Sequence, residues 1–451
     1  MFRFNSKKIK GERMISQPPK GFNLLKVLGP GLVWSASAIG VSELVFATRS
    51  GALFGYLLLW APIVSLVMKY AIFELVGRYT IATGENVLIA FAQVEIDCKL
   101  FKLKTGWVIT LFWIVFIASV SGMAGIALSV GSCIYGLVPA ISMEMATVCS
   151  IVTVGIILYL GSYMTLEKIS RVLVFIMIVF LVYALIETAP DPLAMANGLV
   201  PRAPFHTLRE LVPLLGWTGA GAIGVVWYSL WVEGSKRGKG DGAIVTDEDK
   251  NRIKKWIKIN QIDLTFNTII TALLTVLFLV AGAVILYPKG IVPKGELLGL
   301  QISHIAGESF GKIGEIVFLI GIFGTLFSTL LANIDGLCRV ASNSVWYQRK
   351  KDGDVKLHYY RLFVFIYVVL TALFAVVFPA PVILLQISAI IDTVFLPLVI
   401  GLGIHICHKN LPDIYRPGKI LTVTAIASAV FFLFFIGLFI WAVIMKVNFS
   451  M

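Results

Sequence analysis

Apolar runs long enough to cross a lipid bilayer recur along this chain and decide what it can fold into. A membrane-spanning helix needs about 20 consecutive apolar residues, because the hydrocarbon core is about 30 Å thick. The pattern predicts an all-α polytopic membrane protein. The eleven predicted spans are residues 25–50, 54–77, 107–130, 142–161, 168–187, 211–233, 262–287, 313–340, 361–378, 382–406 and 420–446.

Composition supports a membrane protein and offers no sign of an enzyme. Only 14% of the 451 residues are charged, whereas soluble domains carry about 25%. The first 24 residues are polar and basic, and they lack the apolar core of a cleavable signal peptide. The five cysteines form no CxxC pair, which argues against a disulfide framework or a zinc site. No nucleotide-binding loop or metal-hydrolase spacing is present, so we expect neither enzymatic activity nor a cofactor.

The distribution of basic residues predicts the orientation of the chain in the membrane. With the N-terminus in the cytoplasm, the inner segments contain 30 of the 38 Lys and Arg residues and the outer segments contain six. This asymmetry is the positive-inside pattern. We therefore predict a multi-pass protein with a cytoplasmic N-terminus, in a prokaryotic plasma membrane. The net charge of +13 comes from these basic segments, which would lie beside the anionic lipid of the inner leaflet. We therefore expect no nucleic-acid partner. The sequence indicates no oligomeric state.

Two of the apolar runs contain residues that weaken a membrane helix. The first has Gly40 and the carboxylate of Glu43 in "SAIGVSE", and the sixth has four glycines in "LGWTGAGAIGV". A carboxylate at the bilayer centre costs about 3 kcal/mol on insertion scales. Interrupted segments at corresponding places in two halves indicate an inverted-repeat transporter, with its site near the midplane. The alternative is that these small residues serve close helix packing.

Several motifs resemble the NRAMP family of divalent-metal transporters over nearly the whole chain. The flanks of the first span match the family's first span, with "GPG" at 29–31 and "GALFGYLLLW" at 51–60. Later spans are similar at "IATGENV" (81–87), "YMTLEKI" (163–169), "GLVPRAP" (198–204) and "FLPLVIG" (395–401). The resemblance implies a LeuT-like fold. In that fold, spans 1–5 and 6–10 form two inverted repeats, spans 1 and 6 are broken, and an eleventh helix follows.

This interpretation predicts the division of the chain. The predicted parts are a cytoplasmic N-terminal tail at 1–24, the first repeat at 25–187, an extracellular loop at 188–210, the second repeat at 211–406 with a cytoplasmic loop at 234–261, and the eleventh span with the C-terminus at 407–451.

The metal-binding motifs of the resembled family are missing from this chain. The family has Asp-Pro-Gly-Asn at the break of span one, where this sequence reads Gly-Val-Ser-Glu at 40–43. The family has an Ala-x-x-Met-Pro-His pattern in span six, but no Met or His lies between Gly216 and Arg237. A methionine thioether is a soft ligand, so its loss predicts a preference for hard ions such as magnesium or manganese.

The predicted binding site lies between the two breaks, where unwound carbonyls and intramembrane acids meet. We expect Glu43 and Asp392 to be the metal ligands, because acids inside membrane spans are functional candidates. In span two, Lys69 and Glu74 are the candidate coupling groups. The predicted substrate-binding residues are Gly40, Ser42, Glu43, Ala222, Ile223, Gly224 and Asp392.

The sequence therefore predicts a secondary-active transporter that moves a divalent metal cation by alternating access. The alternative is a transporter of a small organic solute. In that case Lys69 stands in for a coupling cation, because a lysine near Glu43 would neutralise it. A sensor that keeps the fold without transport is a third alternative.

Overall fold

The computed structural model describes residues 15–19, 40–97, 102–161, 164–235, 237–239, 246–349 and 355–446. Within these ranges the chain is almost entirely helical, with a single two-stranded hairpin, β1 (Ile96–Asp97) and β2 (Lys102–Leu103). The helices are α1 (Thr48–Phe54), α2 (Trp60–Thr83), α3 (Val87–Ala92), α4 (Trp107–Leu137), α5 (Met143–Leu160), α6 (Met164–Thr188), α7 (Pro192–Gly198), α8 (Leu208–Trp217), α9 (Ala222–Gly234), α10 (Asp247–Ala281), α11 (Leu298–Arg349), α12 (Val355–Val377), α13 (Pro381–Asn410) and α14 (Lys419–Ile444).

Most of the predicted spans correspond to one of these helices. Among the described residues, nine helical segments are long and apolar enough to cross a membrane. A tenth is added if α6 and α7, which meet at a bend of 116°, count as one span. The first predicted span, 25–50, lies mostly outside the described residues, which begin again at Gly40.

The sixth span is broken, as the glycine pattern predicts. α8 ends at Trp217 and α9 begins at Ala222, so four residues between them are not helical. In the first span, residues Val41–Ala47 form a π-helix that leads into α1. Its wider backbone follows directly on Gly40. Both irregular segments are buried, which is where non-helical backbone is tolerated at membrane depth.

Several helices extend beyond the apolar runs that predicted them. α10 begins at Asp247, not at 262, because Thr246 and Asp249 form a capping box around its polar first turns. α11 begins at Leu298, not at 313, and is kinked at Gly311, where φ is +58°. The predicted loop at 188–210 contains α7 and the first turn of α8. Hydropathy finds the membrane-embedded part of a helix, and it misses polar turns outside the membrane.

The core helices surround the break in span six. α4 packs against both α11 and α13, and α2 packs against α9 and α10. The buried face of α4 is rich in small residues, including Gly122 and Gly125, where a β-carbon would meet side chains of α13. Small residues of this kind let membrane helices approach closely. These closely packed helices surround the segment 218–221.

Candidate functional site

The carboxylate of Asp392 lies at the N-terminus of α9, directly beside the break in span six. Its Oδ1 accepts a hydrogen bond from the backbone N–H of Ile223 at 3.2 Å, and its Oδ2 accepts one from Trp217 Nε1 at 3.2 Å. A helix N-terminus carries unpaired N–H groups and a partial positive charge, so an anion is stabilised there. The side chain remains 7% exposed and faces a cavity described below.

Glu43 occupies the other break, but it is turned toward the backbone. Its Oε2 accepts from the N–H of Gly40 at 3.1 Å, and its Oε1 accepts from the N–H of Gly219 at 3.4 Å. The residue is completely buried. Glu43 therefore connects the start of the π-helix in span one to the non-helical segment of span six.

Lys69 lies at the same break in span six, at the end of α8 rather than at the start of α9. Its Nζ donates to the carbonyl oxygens of Gly216 at 2.6 Å and Thr218 at 2.9 Å, which are at the C-terminal end of α8. A cation is favoured there, because the last carbonyls of a helix are unpaired and carry partial negative charge. Lys69 is 1% exposed and interacts electrostatically with Asp392 and Glu43. No ion pair within 4.0 Å joins it to any acid of the described ranges.

Glu74 is not part of this cluster. It accepts hydrogen bonds from Arg78, one turn later on α2, and from Gln261 Nε2 at 2.8 Å. Five helical residues after Lys69, its side chain points about 140° away from the lysine. The structure therefore separates the two predicted coupling groups.

A cavity lies between the broken spans and α4, α11 and α13. Of the predicted substrate-binding residues, Ser42, Ile223, Gly224 and Asp392 line it, whereas Gly40, Glu43 and Ala222 lie behind its wall. Other residues outside the predicted binding set also line the cavity, and the most prominent are Met123, Trp217, Trp227, Asn333 and Ser388.

Two glycines let the backbone of the break approach these groups. Gly219 has φ +84°, a left-handed conformation that favours glycine. A β-carbon on Gly221 would overlap the carboxylate of Asp392. The glycine pattern in the sequence thus has a direct structural reason at these two positions.

Replacing Gly221 with Ala is expected to push the Asp392 carboxylate away from the N-terminus of α9. We expect overpacking to lower stability by about 1–3 kcal/mol, and uptake of cargo to fall with it. Gly401→Ala on α13 is the matched control, because a β-carbon there meets nothing within 4 Å. Thermal unfolding and proteoliposome uptake of both variants test this; equal behaviour would contradict the close approach.

A buried polar cluster closes the end of the molecule that the charge pattern places outside. Arg49 of α1 forms an ion pair with Glu210 of α8 at 2.6 Å, and it also bonds the carbonyl of Pro293. Gln386 of α13 donates to Glu210 at 2.8 Å. Both members of the ion pair are less than a tenth exposed. We call this cluster (Arg49, Glu210, Pro293 and Gln386) the outer latch, because it joins both broken spans to α13 and to the α10–α11 connection.

An apolar pocket adjoins the central cavity on the opposite side from the outer latch. The two share Val115 and Ile223 in their walls. Beyond it, a buried ion pair and a partly buried hydrogen bond connect the predicted cytoplasmic ends of the helices. Arg237 pairs with Asp263 at 3.1 Å, and Asn86 donates to Glu233 at 3.0 Å.

The described residues contain no group of three or more His, Cys, Asp or Glu side chains placed to bind one metal ion. Glu43 and Asp392 are the acids at the two breaks. The other polar residues that line the cavity include Ser42, Thr329 and Asn333.

Comparison with known proteins extends the resemblance found in the motifs. A model of the family described as "Natural resistance-associated macrophage protein-like" matches residues 31–442. An uncharacterised protein of Pasteurella multocida is 25% identical over 70% of this chain and 70% of its own length. The divalent metal cation transporter MntH of Staphylococcus saprophyticus is 25% identical over 67% of this chain and 66% of its own length.

Two solved structures share the architecture. A manganese transporter from Eremococcus coleocola, in complex with an aromatic bis-isothiourea substituted compound, superposes with a TM-score of 0.61 at 15% identity, over 98% of this chain and 99% of that one. Mhp1, a nucleobase-cation-symport-1 family transporter with bromovinylhydantoin bound, superposes with a TM-score of 0.57 at 16% identity, over 93% of each chain. These likenesses confirm the predicted fold class.

Proposed function

This chain is a member of the Nramp family, a multi-pass membrane protein with a LeuT-like fold, and on that premise we propose that it is a secondary-active transporter that moves a cation by alternating access. The observation that carries the proposal is Asp392, whose carboxylate lies at the break of span six and lines the central cavity. An intramembrane acid beside a cavity is costly to maintain and marks a pathway for ions or substrates.

A divalent metal ion is the cargo that the family relationship favours. The matched relatives include proteins named as divalent metal cation transporters. Magnesium and similar hard ions need only one or two carboxylates, since they keep several of their waters. Asp392 is placed to serve as that carboxylate. Glu43 becomes a second ligand only if its bonds to Gly40 and Gly219 open.

A small organic solute is the cargo that the cavity itself favours. Two indole rings, those of Trp217 and Trp227, form part of its wall. Mhp1, which shares the fold, was captured with an organic heterocycle bound. In this alternative, Lys69 takes the position of a coupling cation at the end of α8.

Uptake into proteoliposomes separates the two cargo classes. We would test Mg²⁺, Mn²⁺ and Ca²⁺ beside a panel of small organic amines, with wild type and Glu43→Gln. If metal is the cargo and Glu43 a ligand, Glu43→Gln abolishes metal uptake. Intact metal uptake in that variant removes Glu43 from the ligand set. If nothing in either class enters, the proposal of cation transport is wrong.

Alternating access requires the outer latch to open. Glu210→Gln should weaken it, since breaking a buried ion pair costs about 3–5 kcal/mol. The reporter is Ser388→Cys, in the central cavity, in a protein whose Cys98 and Cys149 have been replaced with serine. We expect this thiol to react several-fold faster with an impermeant reagent added from outside when Glu210→Gln is present than when it is absent.

Glu308→Gln is the control for this experiment. Its ion pair with Lys289 is exposed and contributes at most about 1 kcal/mol, so labelling should stay at the wild-type rate. Equal labelling in Glu210→Gln and Glu308→Gln would show that the outer latch does not limit access.

A further inference from the structure

We propose that the cargo of the central cavity is a monovalent organic cation, an ammonium group carried on a small apolar body. The ammonium group would bind the Asp392 carboxylate, and the apolar body would lie against the indoles of Trp217 and Trp227. This inference rests on the proposed function and names its substrate class. It is carried by the charge of the buried cluster and by the chemistry of the cavity wall.

The buried cluster lacks one positive charge. Both carboxylate oxygens of Glu43 and of Asp392 accept hydrogen bonds, as those of ionised acids do. Counted in this form, the two acids contribute two negative charges, and Lys69, which donates to two carbonyls, contributes one positive charge. No other Asp, Glu, Lys, Arg or His lines the cavity among the described residues. In the sequence, residues 27–39 of the predicted first span contain no charged residue. An uncompensated buried charge is strongly unfavourable, so a single added positive charge makes the cluster neutral.

A bound divalent ion would give the buried cluster a net positive charge as long as Lys69 stays in place. The two backbone carbonyls that Lys69 bonds, at 2.6 and 2.9 Å, are acceptors that fix the ammonium at the end of α8. The aromatic ring of Phe432 lies over the same group at 5.6 Å, an arrangement that stabilises a cation. With Lys69 fixed, a bound divalent ion leaves the cluster with one excess positive charge.

The helix ends stabilise the charges of the three side chains and add no formal charge. The N–H groups that begin α9 and the π-helix already face Asp392 and Glu43, and the carbonyls that end α8 already face Lys69. Each partial charge is thus matched by the side chain beside it. What remains for a cargo is the exposed part of Asp392.

The cavity wall is suited to an organic body more than to a bare ion. Trp217 donates its N–H to Asp392, which places an indole next to the proposed ammonium position. Trp227 and Met123 add apolar and polarisable surface.

Binding of three eight-carbon aromatic probes with different charges tests the inference on the purified full-length protein. The probes are 2-phenylethanol (neutral), 2-phenylethylamine (one positive charge) and 1,4-bis(aminomethyl)benzene (two positive charges), with Mn²⁺ and Mg²⁺ as competitors. Titration calorimetry should give the tightest binding for 2-phenylethylamine, by about tenfold or more over the other two. The neutral probe lacks the charged hydrogen bond to Asp392, and the divalent probe adds an uncompensated positive charge to the buried cluster. Asp392→Asn should remove that preference.

The outcomes distinguish this inference from the proposed function. Equal binding of the neutral and the monovalent probe overturns it, as does tighter binding of the divalent probe. Saturable Mn²⁺ or Mg²⁺ uptake that depends on Asp392, without amine binding, also overturns it but leaves cation transport standing. If Asp392→Asn changes neither metal uptake nor amine binding, both the inference and the proposed function are wrong.

Discussion

Replacing Asp392 with Asn is expected to abolish cargo uptake while the protein still folds. The amide keeps the shape of the side chain, and its oxygen can still accept from the N–H of Ile223. The negative charge that faces the cavity is lost, however, and with it the group that balances a cationic cargo. We expect uptake in proteoliposomes to fall by about a hundredfold or more, corresponding to about 3 kcal/mol of lost charge interaction.

Asp413→Asn is the matched control for this variant. Asp413 follows α13 in the chain, and it makes an exposed ion pair with Arg416. The same chemical change there should leave uptake unchanged, since exposed pairs contribute little. Full uptake by Asp392→Asn in vesicles with normal protein content would contradict the central role of this carboxylate.

Replacing Lys69 with Met is expected to lower stability and to change the charge preference of the site. The carbonyls of Gly216 and Thr218 lose their donor, and buried unpaired acceptors cost about 1–3 kcal/mol. The cluster then carries two uncompensated negative charges. We therefore expect a lower unfolding temperature, and a rise in Mn²⁺ binding relative to 2-phenylethylamine binding.

Ser65→Ala separates these two effects of Lys69. Ser65 donates to the carbonyl of Leu215 at 2.6 Å, at the same end of α8, but it carries no charge. Its removal should lower stability without changing the preference between Mn²⁺ and the amine. If Lys69→Met and Ser65→Ala behave alike in the binding experiment, Lys69 does not set the charge of the site.

The fold and the location of the breaks could be predicted from the sequence because both depend on local patterns. Apolar runs give the spans, and the glycines at 216–224 give the break between α8 and α9. The acids at the breaks were identified because an acid in an apolar run is conspicuous. The first half of span one lies outside the described residues, so that part of the prediction stays a prediction.

The partners of the site residues could not be predicted, because they depend on tertiary contacts far apart in the sequence. Lys69 bonds backbone carbonyls 147 and 149 residues away, and backbone groups leave no mark in the sequence. Glu43 was expected to face a cargo, but it faces two backbone N–H groups instead. The pairing of Arg49 with Glu210 across 161 residues had no local signal.

Glu74 shows the limit of reasoning from depth alone. Lys69 and Glu74 are close in sequence and both lie within a predicted span, and for that reason the sequence predicts them as a pair of coupling groups. Helical geometry places them on different faces of α2, and Glu74 is instead bonded by Arg78 and Gln261. The direction of a side chain around its helix decides its partners as much as its depth does.

A cryo-EM structure of the protein in a lipid nanodisc, with whichever cation passes the uptake experiment, tests the central claim most directly. The account predicts cargo density in contact with the Asp392 carboxylate, between the end of α8 and the start of α9. In that structure Lys69 should still bond the carbonyls of Gly216 and Thr218. Cargo density elsewhere, with Asp392 bonded only to Ile223 and Trp217, would contradict it.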